Sequence, residues 1–321
     1  MKLGGIHHIS AITGDAPANL DFYTRVLGMR LAAKTVNQDD PRHYHLFYSD
    51  ENASPGADLT FFEYRGVPAG RAGSGMVHRI AWRVGAAESL DFWQERLGDE
   101  GVPTDRDAHG LRFADREGLG HELVVDHSDP PLAAVHPEIP PEHAIGGFVG
   151  VRAYARAADR SAALLEGAMG AVARGDATYE VRGERRGGTI RLDPPPAERA
   201  VRGAGTVHHI AWATTVAEHP LWAAAIAAAG PRPTGVIDRY YFHSIYFREP
   251  SGILYEIADD GPGFTRDMPL GELGSRVILP SWLEPRRDEI EAGLTPLPDP
   301  RPATSPPGRA VTAAPCPPAR S

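Results

Sequence analysis

The chain has 321 residues, too many for one compact core of ordinary size, so two domains are expected. Its formal net charge of -9 argues against nucleic acid or an anionic membrane surface as a partner. The sequence has one cysteine, no apolar run of the ~20 residues that span a bilayer, and no apolar secretion signal in its opening MKLGGIHHIS, which predicts a soluble, cytoplasmic protein.

A short motif recurs along the chain. Residues 77–82 read VHRIAW and residues 207–212 read VHHIAW, which are identical at five of six positions. Residues 6–9, IHHI, are a third version of the same motif. Each segment is short and rich in β-branched or aromatic residues, as is typical of a strand. The repetition predicts that these strands open copies of one structural unit.

A helix is predicted after each of these strands. Residues 20–28 read LDFYTRVLG and residues 90–98 read LDFWQERLG, with apolar residues at helical spacing. Asp15 is a suitable N-cap for the first helix, and Gly28 is a suitable C-terminal stop. Two further helical segments that end on glycine lie at residues 161–170 and 221–230. The chain therefore contains four helix-bearing units.

Short extended segments follow each helix, so the repeat unit reads βαβββ. The four units span about residues 4–64, 75–127, 145–195 and 205–258. We therefore predict an α+β fold, with a Pro-rich linker between units two and three. The predicted divisions are a first domain with units one and two (1–130), a linker (131–144), a second domain with units three and four (145–262), a C-terminal helical extension (263–294) and a disordered Pro-rich tail (295–321).

Two histidine pairs stand at the starts of units one and four: His7–His8 and His208–His209. Successive strand residues face opposite sides of a sheet, so each pair can direct one imidazole into a given cavity. An isolated pair is more often structural than metal-binding. In unit two, however, Arg79 replaces the second histidine, and a cation cannot ligate a metal. This comparison favours the second histidine of each pair as a ligand and the first as its neighbour.

Glu256 on the last strand of unit four completes a candidate metal site. It is a charged residue in an apolar strand, where burial without a partner is unfavourable. Two imidazoles and one carboxylate are typical of Fe(II) sites with O2 chemistry. Because His8 lies in unit one and the other two ligands in unit four, these units must pair around the metal, which leaves units two and three to form the second barrel-like domain. Glu122, at the same place in unit two, lacks a matching histidine and is interpreted as structural.

The run DRYYFHSIY at residues 238–246 precedes the Glu256 strand. An arginine and a phenol near a metal suit an anionic aromatic substrate through charge, hydrogen bonding and stacking. Arg239 and Tyr246 are therefore candidate pocket residues. The alternative is an ordinary strand edge with an exposed arginine.

These runs resemble the vicinal oxygen chelate superfamily, which includes glyoxalases, extradiol dioxygenases and bleomycin-resistance proteins. Within it, GIHHISAITGD, TVNQDDPRHYHLFY and RYYFHSIYFREPSGILYE are similar to hydroquinone-type ring-cleaving dioxygenases. The resemblance extends from residue 3 to about residue 294. It implies one Fe(II) that binds an aromatic diol and O2 for ring opening. The implied ligands are His8, His209 and Glu256, and the implied pocket residues are His7, Ser10, His208, Arg239 and Tyr246.

The resemblance also implies roles for these residues. An imidazole of His208 or His7 would take the proton from a ring hydroxyl, and Arg239 and Tyr246 would stabilise the developing oxygen charge. The protein would act on a small molecule, with a homo-oligomer as an open possibility.

Two other functions remain open from the sequence. A glyoxalase-type isomerase or lyase would use a fourth ligand, for which Glu63 is the candidate because it ends unit one roughly as Glu256 ends unit four. We expect Glu63 to lie outside the metal shell. A non-enzymatic binder of small aromatic toxins would use the same cavity without a metal, which the His/His/Glu set disfavours.

Overall fold

In this computed structural model the structure describes residues 1–300. Each repeat unit folds as one strand, one helix and three further strands. Units one and two comprise β1 (Ile6–Thr13), α1 (Ala16–Asp21), β2 (Arg30–Asn37), β3 (Asp40–Ser49), β4 (Asp58–Glu63), β5 (Met76–Val84), α2 (Ala87–Asp99), β6 (Asp105–Arg106), β7 (Leu111–Ala114) and β8 (Gly120–Val125). Units three and four comprise β9 (Phe148–Tyr154), α3 (Ala158–Glu166), β10 (Val172–Gly175), β11 (Thr178–Glu180), β12 (Thr189–Asp193), β13 (Thr206–Thr214), α4 (His219–Ala228), β14 (Ile237–Asp238), β15 (His243–Arg248) and β16 (Leu254–Asp259).

The first helical segment begins after the predicted N-cap, and the chain leaves it at the predicted glycine, although the α-helix itself ends at Asp21. Asp15 caps α1, because its Oδ1 accepts a hydrogen bond from the backbone N–H of Ala18 at 3.0 Å. The chain continues as one π-helical turn, Phe22–Val26. Gly28 then adopts φ +71°, a left-handed conformation that favours glycine, and directs the chain into β2.

The strands assemble into two eight-stranded sheets. The first sheet has the order β14-β15-β16-β13-β1-β4-β3-β2, and the second has the order β10-β11-β12-β9-β5-β8-β7-β6. Antiparallel pairing of β1 with β13 joins units one and four. Antiparallel pairing of β5 with β9 joins units two and three. The predicted α+β fold and the predicted pairing of the units are confirmed.

Each sheet takes its strands from both halves of the chain, and the predicted division into chain-order domains stays a prediction. The C-terminal extension ends with helix α5 (Arg287–Gly293). Residues 295–300 form no helix or strand, and the remainder of the predicted Pro-rich tail lies outside the described residues. Within residues 1–300, no helix is long and apolar enough to cross a membrane.

The second sheet repeats the strand register of the first without the two candidate ligand histidines. Ala81 of β5 lies opposite Gly150 of β9, just as Ala211 of β13 lies opposite His8 of β1. Gly150 therefore has the position of a candidate ligand. A Cβ atom at Gly150 would lie 2.0 Å from Oγ1 and 2.5 Å from the backbone oxygen of Thr189, so this position has no room for a side chain.

We expect Gly150→Ala to destabilise the protein, because the backbone of Thr189 must move to admit the methyl group. Overpacking of this kind lowers the free energy of unfolding by about 1–3 kcal/mol. Gly98→Ala in α2 is the matched control, since its Cβ would have no neighbour within 4 Å, and alanine there favours the helix. Chemical denaturation of the two variants measures the difference. Equal stability of both would contradict the close packing of β9 on β12.

Candidate metal centre

Three buried side chains from neighbouring strands meet on one face of the first sheet. His8 lies on β1, His209 on β13 and Glu256 on β16, and none is more than 4% exposed. Ala211 lies opposite both His8 and Glu256, and His209 precedes Ala211 by two residues on the same face. The strand register therefore brings together three residues that are widely separated in the sequence.

The three candidate ligating atoms form a small triangle. His8 Nε2 lies 3.1 Å from His209 Nε2 and 3.2 Å from Glu256 Oε2. His209 Nε2 lies 2.8 Å from the same carboxylate oxygen. Adjacent ligands at about 2.1 Å from one octahedral ion lie about 3 Å apart. The triangle fits one face of such a shell and leaves the opposite face for other ligands, as in non-haem Fe(II) oxygenases.

The environment of Glu256 fits a bound cation. Its Oε1 accepts hydrogen bonds from Ser244 Oγ and, at 3.0 Å, from Tyr246 OH. Its buried Oε2 has no aligned hydrogen-bond donor within residues 1–300. Burial alone would raise the pKa of Glu256, but the imidazoles of His8 and His209 hold that pKa well below its usual range. A buried carboxylate that faces two imidazoles is a donor set that suits a divalent transition metal such as Fe(II).

Each of the two candidate ligand histidines is oriented by the histidine before it. His7 Nδ1 lies 2.9 Å from His8 Nδ1, and His208 Nδ1 lies 2.8 Å from His209 Nδ1. A histidine that ligates through Nε2 carries its proton on Nδ1, so both ligands donate to their neighbours. Burial lowers the pKa of His7 and of His208 to about 3, which keeps both neutral and able to accept. His208 borders the cavity described below, whereas His7 lies behind His8, with Nε2 3.8 Å from Asp260.

Thr60, rather than Glu63, has the position in unit one that corresponds to the ligand carboxylate. In unit four, Glu256 lies opposite Ala211, which is two residues after His209. In unit one, the residue two after His8 is Ser10, and it lies opposite Thr60. Their hydroxyl oxygens are 2.6 Å apart. Glu63 lies on the other face of β4, where its Oε1 accepts hydrogen bonds from Thr295 Oγ1 at 3.1 Å and from Ala16 N at 3.4 Å. Among residues 1–300, the candidate metal-binding cluster therefore has three members.

A cavity of about 420 Å³ opens beside the three candidate ligands. Its walls are rich in aromatic side chains: Phe47, Phe62, Tyr64, Tyr241, Phe242 and Tyr246. Arg239 also lines the cavity, and its guanidinium carbon lies 5.6 Å from the ring centroid of Tyr246. A pocket of this size and lining suits a flat aromatic ligand. Of the sequence-predicted pocket residues, Arg239, Tyr246 and His208 border the cavity. Ser10 and His7 are not part of its wall and contact Thr60 and His8, respectively.

His45 on β3 is a cavity residue that no repeated motif of the sequence marks. Its ring lies between Phe47 and Phe62, with centroids 4.1 and 4.0 Å away. Its Nε2 lies 2.9 Å from Thr60 Oγ1, and its Nδ1 has no hydrogen-bond partner within residues 1–300. Burial lowers the pKa of His45 well below its usual value, so the ring is neutral. The alternation of His43, His45 and Phe47 along β3 was the available signal, but no histidine in another unit marked it.

Comparison with known proteins agrees with this architecture. Residues 5–123 match the sequence profile of the glyoxalase/bleomycin resistance protein/dioxygenase superfamily. MhqO of Bacillus subtilis (strain 168), provisionally named as a ring-cleaving dioxygenase, is 41% identical over 304 residues, which cover 92% of this chain and 97% of MhqO. The chain belongs to this superfamily.

Two further relatives match nearly the whole length of this chain. The chlorohydroquinone/hydroquinone 1,2-dioxygenase of Sphingobium indicum is 30% identical over 310 residues, which cover 90% of this chain and 95% of that enzyme. The crystal structure of a Bacillus subtilis protein provisionally named as a dioxygenase has a TM-score of 0.86 and 39% identity, and covers 93% of this chain and 98% of that one. The resemblance inferred from the sequence motifs is confirmed.

We expect His209→Ala to remove bound metal. The wild-type protein loaded anaerobically with Fe(II) should hold about one ion per chain. Loss of a ligand should weaken metal binding more than the roughly 10- to 100-fold typical of residues that only orient a ligand. His78→Ala is the control, because this histidine belongs to the second sheet and pairs with Asp193. Elemental analysis after dialysis gives the metal content, and wild-type metal content in His209→Ala would exclude this cluster as the site.

Proposed function

We propose that the protein is an Fe(II)-dependent dioxygenase that opens the ring of hydroquinone or a related aromatic diol. The observation that carries this proposal is the three-residue His/His/Glu face, which opens onto an aromatic cavity. Three protein ligands leave positions for a diol and O2, whereas a four-ligand shell would leave fewer. The names of the Bacillus and Sphingobium relatives support the same class of reaction. When bound, Fe(II) supplies a Lewis acid that lowers the pKa of a ring hydroxyl and a centre at which O2 can react.

The aromatic walls bind and orient the ring. Phe242 lies 5.3 Å from the ring of His8, and Phe62 lies 5.6 Å from the ring of His208, measured between centroids. A planar substrate between such walls is held by stacking and excludes water from the ligands. In the sequence-based hypothesis, Tyr246 stabilises oxygen charge. Its hydroxyl also donates to Glu256, so Tyr246 fixes the carboxylate that faces the metal.

His45 is the proton acceptor that the geometry favours. Hydrogen bonding to His209 occupies Nδ1 of His208, so the proton of the neutral His208 ring lies on Nε2, which can only donate. In His45, which lines the cavity, the bond from Nε2 to Thr60 Oγ1 can hold the ring proton, which leaves Nδ1 as the acceptor of the ring. Thr60 Oγ1 in turn lies 2.6 Å from Ser10 Oγ, so the Ser10 hydroxyl helps to orient the Thr60 hydroxyl that holds His45. We therefore assign proton transfer from the ring hydroxyl to His45 and substrate hydrogen bonding to His208.

The competing functions make different demands on the site. A glyoxalase-type isomerase would use a fourth protein ligand and no O2, and Thr60 offers a hydroxyl rather than a carboxylate at that position. A binder of aromatic toxins would not need the buried Glu256 carboxylate. Both alternatives are weaker than ring cleavage on these grounds.

The Fe(II)-loaded protein is expected to consume one O2 per molecule of hydroquinone and to yield a ring-opened product. His45→Ala should retain the metal and lose about 10²- to 10⁴-fold in kcat, the range typical of a general base. His43→Ala on the same strand is the control, because His43 packs on Tyr64 outside the cavity wall. An oxygen electrode and mass spectrometry of the product give the measurement. Normal turnover in His45→Ala would exclude its role, and absence of O2 uptake with every diol would refute the proposed function.

A further inference from the structure

The charged side chains at the mouth of the cavity form a closed pair. Within residues 1–300, and leaving the histidines aside, the cavity is lined by one cationic side chain, Arg239, and one anionic side chain, Asp39. Arg239 Nη1 lies 3.1 and 3.2 Å from the two carboxylate oxygens of Asp39. The cation that the sequence assigns to an anionic substrate is therefore already neutralised by the protein.

The two members of this pair differ in freedom. The backbone of Arg239 is fixed, because its carbonyl oxygen accepts a hydrogen bond from Gln38 Nε2 at 2.7 Å and its N–H donates to Phe242 O at 2.9 Å. Its side chain is 22% exposed and lies over Tyr246, whereas the side chain of Asp39 is 73% exposed at the rim. Arg239 is thus a fixed part of the wall, and Asp39 is the residue that sets the net charge of the mouth.

We propose that Asp39 makes the cavity select uncharged aromatic diols over diols that carry a carboxylate. The inference rests on the proposed function and narrows its substrate class. A carboxylated ring that approaches Arg239 must displace Asp39 or lie beside its negative charge, and both are unfavourable. An uncharged diol leaves the pair intact. Because the pair is exposed to solvent, its effect on the ratio of affinities is about two- to fivefold.

The test compares two ligands that differ by one charge. Dissociation constants of hydroquinone and of its carboxylated analogue gentisate are measured by calorimetry, without O2, on the Fe(II)-loaded protein. In Asp39→Asn the preference should move toward gentisate by about two- to fivefold relative to wild type. The shift should shrink at high salt, because screening weakens exposed charge interactions. Adding Arg239→Gln to this variant should abolish it.

The neighbouring aspartate provides a matched control. Asp40 belongs to the same turn but pairs with Arg42 and does not line the cavity. Asp40→Asn removes the same charge and should leave the affinity ratio as in wild type. An unchanged ratio in Asp39→Asn, or an equal shift in Asp40→Asn, would overturn the proposal.

The binding measurement separates this inference from the proposed function. If hydroquinone binds and the ratio shifts as expected, but no O2 is consumed in air, the ring-cleavage proposal fails while the role of Asp39 stands. If O2 is consumed with both ligands and the ratio does not depend on Asp39, the reverse holds. If neither hydroquinone nor gentisate binds, both proposals are overturned.

Discussion

The burial of the Glu256 carboxylate is the constraint on which the first sheet depends. An ionised carboxylate in a protein interior is unfavourable by several kcal/mol unless it is compensated. Ser244 and Tyr246 satisfy one carboxylate oxygen, while the other turns toward His8 and His209. These partners come from both ends of the chain, so β1 must pair with β13 before the charge has a suitable environment. Under the proposed function, metal binding and the pairing of units one and four would stabilise each other.

The second sheet compensates the equivalent charge with its own side chain. Glu122 has the register position of Glu256, and Arg79 has that of His209. Arg79 Nη1 lies 3.8 Å from Glu122 Oε2, so an arginine side chain supplies the positive charge that compensates this carboxylate. In the first sheet the equivalent position holds His209, and in our proposal the compensating cation is a bound metal ion. The same strand pattern thus gives a structural ion pair in one sheet and a candidate metal-binding cluster in the other, so glutamate at this position is compatible with both arrangements.

Local periodicity in the sequence was sufficient to predict the strands and the capped first helix. Comparison of the repeat units was sufficient to select the second histidine of each pair as the candidate ligand. Features that depend on contacts between distant segments were not predictable in this way. Counting along the chain suggested Glu63 as the counterpart of Glu256, whereas the parallel ladder of β1 with β4 gives that position to Thr60. His45 has no counterpart in the other units, so repetition could not mark it. Asp39 reaches the site through a contact with a residue 200 positions away.

The C-terminal extension belongs to the site because it holds the loop that carries Arg239. Tyr240 in this loop adopts φ +69°, which costs a non-glycine residue about 1–3 kcal/mol. Arg266 compensates by donating to Tyr240 O at 2.8 Å and by lying 3.9 Å from its ring centroid. Asp267 accepts hydrogen bonds from the hydroxyls of Tyr240 and Tyr241 at 3.1 and 2.9 Å. The His/His/Glu cluster has no contact with Arg266 or Asp267, whereas the loop with Arg239 is held by both, so the position of this cavity wall depends on residues outside the candidate metal site.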